Sequence, residues 1–309
     1  VEIAMKMAIQ FWINNGIKDR IRFLSFENAY HGDTFAAMSV CDPKKGMHRM
    51  LTGVLPEQIV TTLPRSTIEF AAFEKLVAAN ANQAAALIIE PLVQAAAGMK
   101  FHEPEDLARI VEIARHYELL IIFDEITTGF GRTGTMFACE QADIVPDIVT
   151  VAKALTGGML PLAATVARQH VYDSFLSESI DQALVHGPTF CGNPMGCAAA
   201  NASLDLFESE PRLEQVATIA DQLEEFLVPC LDIPHVADVR VKGAIGVVQL
   251  DRVPDLTAMR QRFLREGVWL RPFEDIVYIM PPFVIGSEDL TILTDAVTCV
   301  VTEWSETIF

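Results

Sequence analysis

The strongest constraint on the fold is a set of apolar runs of strand length, each ending at or beside a charged residue. Residues 21–27 (IRFLSFE), 84–90 (AAALIIE), 119–125 (LLIIFDE), 147–153 (DIVTVAK) and 162–167 (LAATVA) are of this kind. Their interiors are too continuously apolar for one face to meet water, so both faces must be covered. Residues 66–80 and 104–118 have helical spacing and lie between these runs. Strands buried on both faces and alternating with helices predict an α/β unit, a mostly parallel sheet flanked by helices. In sheets of this type ligands bind beyond the carboxyl ends of the strands.

After about residue 210 the texture changes. A helical pattern over 212–229 is followed by short strand-like runs, VADVRVKG, IGVVQL, VWLRPF and IVYIMPP, and by an amphipathic stretch over 287–304. Short strands followed by a helix predict a small α+β C-terminal domain. The expected division is a large domain over 1–208 and a small one over 209–309. At the other end, Ile3, Met7 and Phe11 fall in one helical row and Ala4, Ala8 and Trp12 in another. No capping residue or initiator Met precedes them. The expectation is a chain that starts inside a helix and has lost N-terminal structure.

Composition excludes several functions. With 41 acidic against 23 basic residues the formal net charge is −18, a field that repels phosphate backbones, so nucleic acid is not an expected partner. The apolar runs are too short to span a membrane, and the N-terminal stretch is not a signal peptide. The cysteines at 41, 139, 191, 197, 230 and 299 have no metal-ligand rhythm. They predict no metal site, and buried free thiols in a reducing cytoplasm.

Two charged residues sit at expected strand ends, Asp124 after LLIIF and Lys153 after DIVTVA. Each alone is more simply a loop charge reaching solvent. Together they suit one chemistry. Lys153 is followed by ALTGG, a flexible turn that lets backbone approach a ligand, and Asp124 by the glycine-punctuated EITTGFGRTG. A partly desolvated lysine can bond the aldehyde of pyridoxal 5′-phosphate, and a carboxylate beside the pyridine nitrogen keeps that nitrogen protonated. Ile126 is placed to press on one face of the ring and Tyr30 to cover the other.

FDEITTGFGRTG, AKALTGG, HGPTFCGNPMGCAAANASL at 186–204, AYHGDTFAAMSV, VADVRVKGAIGVV and GVWLRPFEDIVYIMPPF are spread between residues 29 and 283. With these motifs the chain resembles the class III aminotransferases, homodimeric enzymes of pyridoxal-phosphate fold type I. Within that family it is similar to the members that pass an amino group from S-adenosylmethionine to 8-amino-7-oxononanoate in biotin biosynthesis. The resemblance implies that Lys153 carries the cofactor and shuttles the proton, and that Asp124 is the pyridinium partner. Tyr30 would stack on the ring and border the substrate. Pro188 and Thr189 would meet the cofactor phosphate across the dimer interface, with Gly187 beside them at the substrate pocket. Arg271 would bind the carboxylate of the oxononanoate substrate, and Tyr278 would wall its pocket.

Simpler readings stand beside these. Arg271 could be a surface ion pair, Thr189 a turn hydroxyl, and Tyr30 a half-buried core tyrosine. Arg132 could merely close its loop, Glu90 and Gln94 could line the cofactor edge, and His31 and His186 read as hydrogen-bonded structural residues. The family's Gly-Ser phosphate turn would lie just before Val1, where a helix N-terminus binds anions. Glu274 and Asp275 would oppose carboxylate binding at Arg271 if they pointed inward. The alternatives are an aminotransferase of ω-amino acid or ornithine type, and a fragment that folds without catalysing.

Overall fold

The computed structural model describes residues 1–307 and separates into two compact units, Val1–Gly129 with Ala138–Leu204, and Phe130–Phe137 with Asp205 onward. In the first unit the chain begins with helix α1 (Glu2–Asn14), strand β1 (Arg22–Phe26), the short helix α2 (Phe35–Ser39) and strand β2 (Ile59–Thr61). It continues through α3 (Thr67–Asn80), β3 (Ala84–Ile89), a two-residue antiparallel pair β4 (Val93–Gln94) and β5 (Lys100–Phe101), α4 (Pro104–His116) and β6 (Leu120–Asp124). The strands β7 (Ile148–Val151) and β8 (Ala164–Ala167), then α5 (Gln169–Asp173), follow. Helix α6 (Pro194–Ser209) leads the chain out of this unit.

The main sheet has the order β2-β1-β3-β6-β7-β8. Its strands are parallel except β8, which runs antiparallel to β7 and closes the edge. All six residues of β3 are buried, as are all five of β6. On one face the sheet packs against α1, where Met5, Ala8 and Trp12 join Phe23, Ile88, Ile122 and Ile148 in one core. The Trp12 indole N–H donates to the Ala85 carbonyl at 2.8 Å, so the large ring is buried without an orphaned donor. Phe70, Phe73 and Val77 of α3 and Leu107, Ile110 and Val111 of α4 are buried as well. Each such side chain contributes roughly 1.5–3 kcal/mol by burial. Local chemistry sets the helix starts. Ser66 and Glu69 form a capping box ahead of α3, and Pro104 with Glu105 and Asp106 occupies the first turn of α4.

The second unit contains α7 (Arg212–Leu227), β9 (Val236–Val241), β10 (Gly246–Leu250), α8 (Leu256–Arg265), β11 (Ile276–Ile279) and α9 (Ser287–Thr307). The strands form an antiparallel sheet in the order β11-β10-β9. Its core joins Val216, Leu223 and Leu227 of α7 to Val248, Phe263, Val277, Val297 and Val300. Residues 130–137 belong to this unit too. Their seat is the turn between β9 and β10, where the Ala244 N–H donates to the Arg132 carbonyl at 3.0 Å and the Arg132 guanidinium returns to the Ala244 carbonyl at 2.9 Å.

Several expectations need correction. VWLRPF is not a strand. The chain leaves α8 through Gly267 in a left-handed conformation (φ 79°), and Val268 N–H bonds the Phe263 carbonyl, so the run ends a helix instead of joining a sheet. Strand β7 stops at Val151, leaving Lys153 beyond it on a 3-10 turn, Lys153–Thr156. Strand β2 and helices α6 and α8 lie where no element was anticipated. Free thiols are found, but not all are buried. Cys41 and Cys230 are, whereas Cys191 and Cys299 are exposed.

Gly243 explains the register of the loop against the β9–β10 turn. Its φ is 55°, and a Cβ there would lie 2.5 Å from Gly134 N and 2.6 Å from the Arg132 carbonyl oxygen. Backbone on both sides cannot give way cheaply. Gly243→Ala should lower stability by about 2 kcal/mol or more, read as a lower urea midpoint at unchanged slope. An unchanged midpoint would mean that the loop is not seated on this turn.

Candidate active site at the carboxyl edge of the sheet

The carboxyl ends of β1, β3, β6 and β7 bring together the loop 27–32, Glu90, Asp124 and Lys153. Register fixes the last two. Asp124 pairs with Thr150 across the parallel β6–β7 ladder, and Lys153 follows three residues later. The Lys153 ammonium donates to Thr127 Oγ1 at 2.6 Å, and Thr127 stands three residues beyond Asp124. An amine and a carboxylate therefore leave neighbouring strands, and the hydroxyl that takes the amine lies on the turn that follows the carboxylate. Lys153 is exposed, contrary to the expected partial desolvation, because the 3-10 turn carries it clear of the sheet.

Asp124 is buried, only 4% exposed, at the end of a strand with no other charge. Burying a carboxylate without donors is prohibitive, and here donors converge on it. Oδ2 lies 2.8 Å from His31 Nδ1, while Oδ1 accepts from Ile126 N–H at 3.2 Å and Thr150 Oγ1 at 3.3 Å. Ile126 is half-buried beside it.

Tyr30 is half-buried, and its phenol donates to Asp33 Oδ1 at 2.8 Å. Its ring stacks on His48 with centroids 6.0 Å apart and planes inclined by 25°. Burial first, then the bond to Asp33, pushes the phenol up to about 12. Behind Tyr30, Glu90 is buried and accepts the Tyr30 N–H at 3.0 Å on one oxygen and the Ala95 N–H at 3.1 Å on the other. Burial raises this carboxyl to about 7, with Asp124 opposing ionisation and His31 favouring it. Gln94 turns its amide to the Glu27 carbonyl at 2.9 Å.

Gly187, Pro188 and Thr189 lie exposed on the loop before α6. His186 Nδ1 meets the Lys6 ammonium at 3.1 Å. In the second unit Arg271 is exposed, and among the described residues it has no hydrogen-bond or ion-pair partner. Asp275 does not oppose it directly, since its carboxylate accepts from Gln249 Nε2 at 3.1 Å. Tyr278 sits half-buried in β11, paired with Val247. Arg132 closes its own loop, donating to the Ala244 and Pro281 carbonyls at 2.9 Å with the guanidinium 4.6 Å from the Phe283 ring centre. Burial lowers it to about 10. Sequence reasoning missed Thr127 as the partner of Lys153; its only signal was a hydroxyl three residues past a strand-end acid.

The donor set suits pyridoxal phosphate. Lys153 offers an accessible amine for an aldehyde, and Asp124 offers a buried carboxylate for a ring nitrogen. Ile126 and Tyr30 are the flanking side chains expected to border the ring.

The chain matches the family described as aminotransferase class-III over residues 1–301. It is 41% identical over 305 residues to the adenosylmethionine-8-amino-7-oxononanoate aminotransferase of Buchnera aphidicola from Acyrthosiphon pisum, covering 96% of this chain and 71% of that protein. The enzyme of that name from Mycobacterium leprae is 42% identical over 299 residues, covering 96% and 68%. Among solved structures, the aminotransferase of that name from Methanocaldococcus jannaschii superposes with a TM-score of 0.90 at 30% identity, covering 98% of this chain and 73% of that one. A PLP-bound amine transaminase from an uncultivated Pseudomonas species gives a TM-score of 0.89 at 30% identity, covering 98% and 74%.

The buried carboxyl of Glu90 makes stability depend on pH. Its folded value, about 7, lies above the ordinary 4.5. The folded chain then keeps a proton that the unfolded chain releases. The stabilisation is complete below the ordinary value and is lost as pH rises through about 7. Glu90→Gln cannot ionise, so relative to wild type it should gain about 2 kcal/mol between about pH 5.5 and about pH 8. Urea midpoints of the two proteins that differ by the same amount at both pH values would contradict this assignment.

Proposed function

Because the chain belongs to the class-III aminotransferase family, whose members are pyridoxal-phosphate enzymes, we propose that it transfers an amino group from S-adenosylmethionine to 8-amino-7-oxononanoate, giving 7,8-diaminononanoate. The observation that carries this reading is the β6–β7 register, which brings Asp124 and Lys153 to neighbouring strand ends, in a chain whose relatives carry that enzyme's name. A small-molecule reaction follows, one that needs neither nucleic acid nor membrane. No helix among the described residues is long and apolar enough to cross a membrane. We place the enzyme in the cytoplasm.

Bound at this site, pyridoxal phosphate supplies an aldehyde and an electron-withdrawing ring. Lys153 would hold the cofactor through its amine and, when that amine is free, would move the proton to and from the substrate carbon. Thr127 keeps that amine aimed along the strand edge. Asp124 would meet the ring nitrogen, and Ile126 and Tyr30 would border the ring. Arg271, whose guanidinium has no hydrogen-bond or ion-pair partner among the described residues, would take a carboxylate such as that of the oxononanoate in two parallel hydrogen bonds.

The working unit in this reading is a homodimer. Pro188 and Thr189 are exposed, and around them Val185, Phe190 and Met195 are between 68% and 80% exposed. A cluster of large apolar side chains beside a polar turn suits coverage by a second copy, whose cofactor phosphate Thr189 would meet.

Mixing the chain with pyridoxal phosphate should give an absorbance band that Lys153→Ala abolishes, with transaminase activity falling about a thousandfold or more. Arg271→Ala should keep the band but lower kcat/KM for 8-amino-7-oxononanoate by about thirtyfold to a hundredfold. A band that survives Lys153→Ala would overturn the site. Turnover with alanine or glutamate but not with S-adenosylmethionine would move the chain to the ω-amino acid type.

A further inference from the structure

Glu90 fixes the backbone of Tyr30 by accepting its N–H, but that bond leaves the aromatic ring free to turn. The phenol donates to Asp33 Oδ1 at 2.8 Å, and Asp33 is itself exposed, a weak frame for a ring. The firmer neighbour is His48, whose side chain is only 15% exposed. Its ring stacks on that of Tyr30 with centroids 6.0 Å apart and planes inclined by 25°, within the range where aromatic pairs attract. Its Nε2 lies 3.1 Å from Asp33 Oδ1, the same oxygen that takes the phenol. A bare lone pair there would face a carboxylate and be repelled, so Nε2 carries the proton. That N–H is out of line for a hydrogen bond and has no hydrogen-bond partner among the described residues. Its hold on Asp33 is electrostatic, and the stack supplies the orientation.

His48 is delivered by a turn wound on one buried acid. Asp42 Oδ1 accepts the N–H groups of Lys44 and Lys45 at 2.7 and 2.9 Å, and the Asp42 carbonyl accepts the Gly46 N–H at 3.1 Å. A Cβ at Gly46 would run into that carbonyl oxygen, so the turn cannot loosen around a larger residue. Beyond it, the His48 carbonyl accepts the Leu51 N–H at 2.8 Å and starts a 3-10 turn, Arg49–Leu51. The other oxygen of Asp42 takes the Asn28 N–H at 2.7 Å, and the Asp42 N–H donates to the Ala29 carbonyl at 3.0 Å. The segment that carries Tyr30 and the segment that carries His48 are therefore fastened to one residue. Their rings meet because their backbones share an anchor.

We propose that His48 is a positioning residue for Tyr30: it backs the phenol ring and draws on the acid that holds the phenol, so that the ring presents a fixed face to the cofactor. This rests on Tyr30 bordering the cofactor ring. A side chain set in its bound orientation beforehand gives up less freedom when the ligand arrives, and binding is tighter by that amount.

The test uses the full chain in two arms. The protein has four tyrosines, so carbon-13 labelling of their rings resolves Tyr30 once Tyr30→Phe identifies its signal. Without cofactor, wild type should give cross-peaks between the Tyr30 and His48 rings, and the Tyr30 signal should shift in His48→Ala. Missing cross-peaks, or a signal indifferent to His48→Ala, overturn the proposal and leave the aminotransferase reading intact. In the second arm, pyridoxal phosphate is added and the visible circular dichroism of the bound cofactor reports the asymmetry of its surroundings. His48→Ala should lose about half of that signal or more and bind the cofactor about threefold to tenfold less tightly in equilibrium dialysis, whereas His48→Phe, which keeps a planar ring against Tyr30, should stay within about twofold of wild type. Alanine and phenylalanine variants that behave alike overturn the proposal. Wild type that binds no pyridoxal phosphate overturns the aminotransferase reading and this proposal with it. If His48→Ala fails to fold, the wild-type cross-peaks and the His48→Phe dichroism decide, a signal well below that of wild type counting against the proposal.

Discussion

A buried carboxylate at the end of an apolar strand dictates much of what surrounds it. Strand β6 is five residues long and wholly buried, and its last residue is Asp124. Ionised, that side chain needs donors on every side that lacks water. One arrives from the next strand as Thr150, one from its own following turn as Ile126 N–H, and one from a loop far away in sequence as His31. The loop that delivers His31 also delivers Tyr30. The contact that satisfies one acid thus also brings Tyr30 to the carboxyl edge of the sheet.

Glu90 adds a second layer with a different solution. It too ends a buried strand, but its oxygens meet two backbone N–H groups, and burial outweighs them, raising the carboxyl to about 7. Two acids on adjacent parallel strands are thereby kept in different environments. One takes a histidine, while the other fastens the loop that brings the histidine in. Separating neighbouring carboxyls in this way avoids two like charges in one dry space.

The sheet was legible because burial on both faces writes itself as unbroken apolar runs, as in AAALII and LLIIF. Lys153 and Asp124 were legible because a charge that interrupts such a run must leave the sheet at its edge. What could not be read are the pairings between distant segments. Nothing local in AYHGD says that His31 turns to Asp124, or that Thr127 takes the lysine. VWLRPF misled because its apolar residues suit a strand by composition, while Gly267 had already turned the chain out of a helix. Strand β2, at three residues, is too short to show a period. The side of the sheet on which β8 runs antiparallel is likewise a matter of connection, which composition does not record.

The eight residues Phe130–Phe137 leave β6's following turn and join the unit whose other residues begin at Asp205. Their seat, Gly243 and Ala244, is made much later in synthesis. The loop and its seat are therefore joined across 112 residues of sequence, from Arg132 to Ala244. Neither unit can be cut out as one continuous piece, since a break at Leu204 would strand the loop from its turn. Lys153 lies between the two in sequence, after the loop and before the turn that seats it.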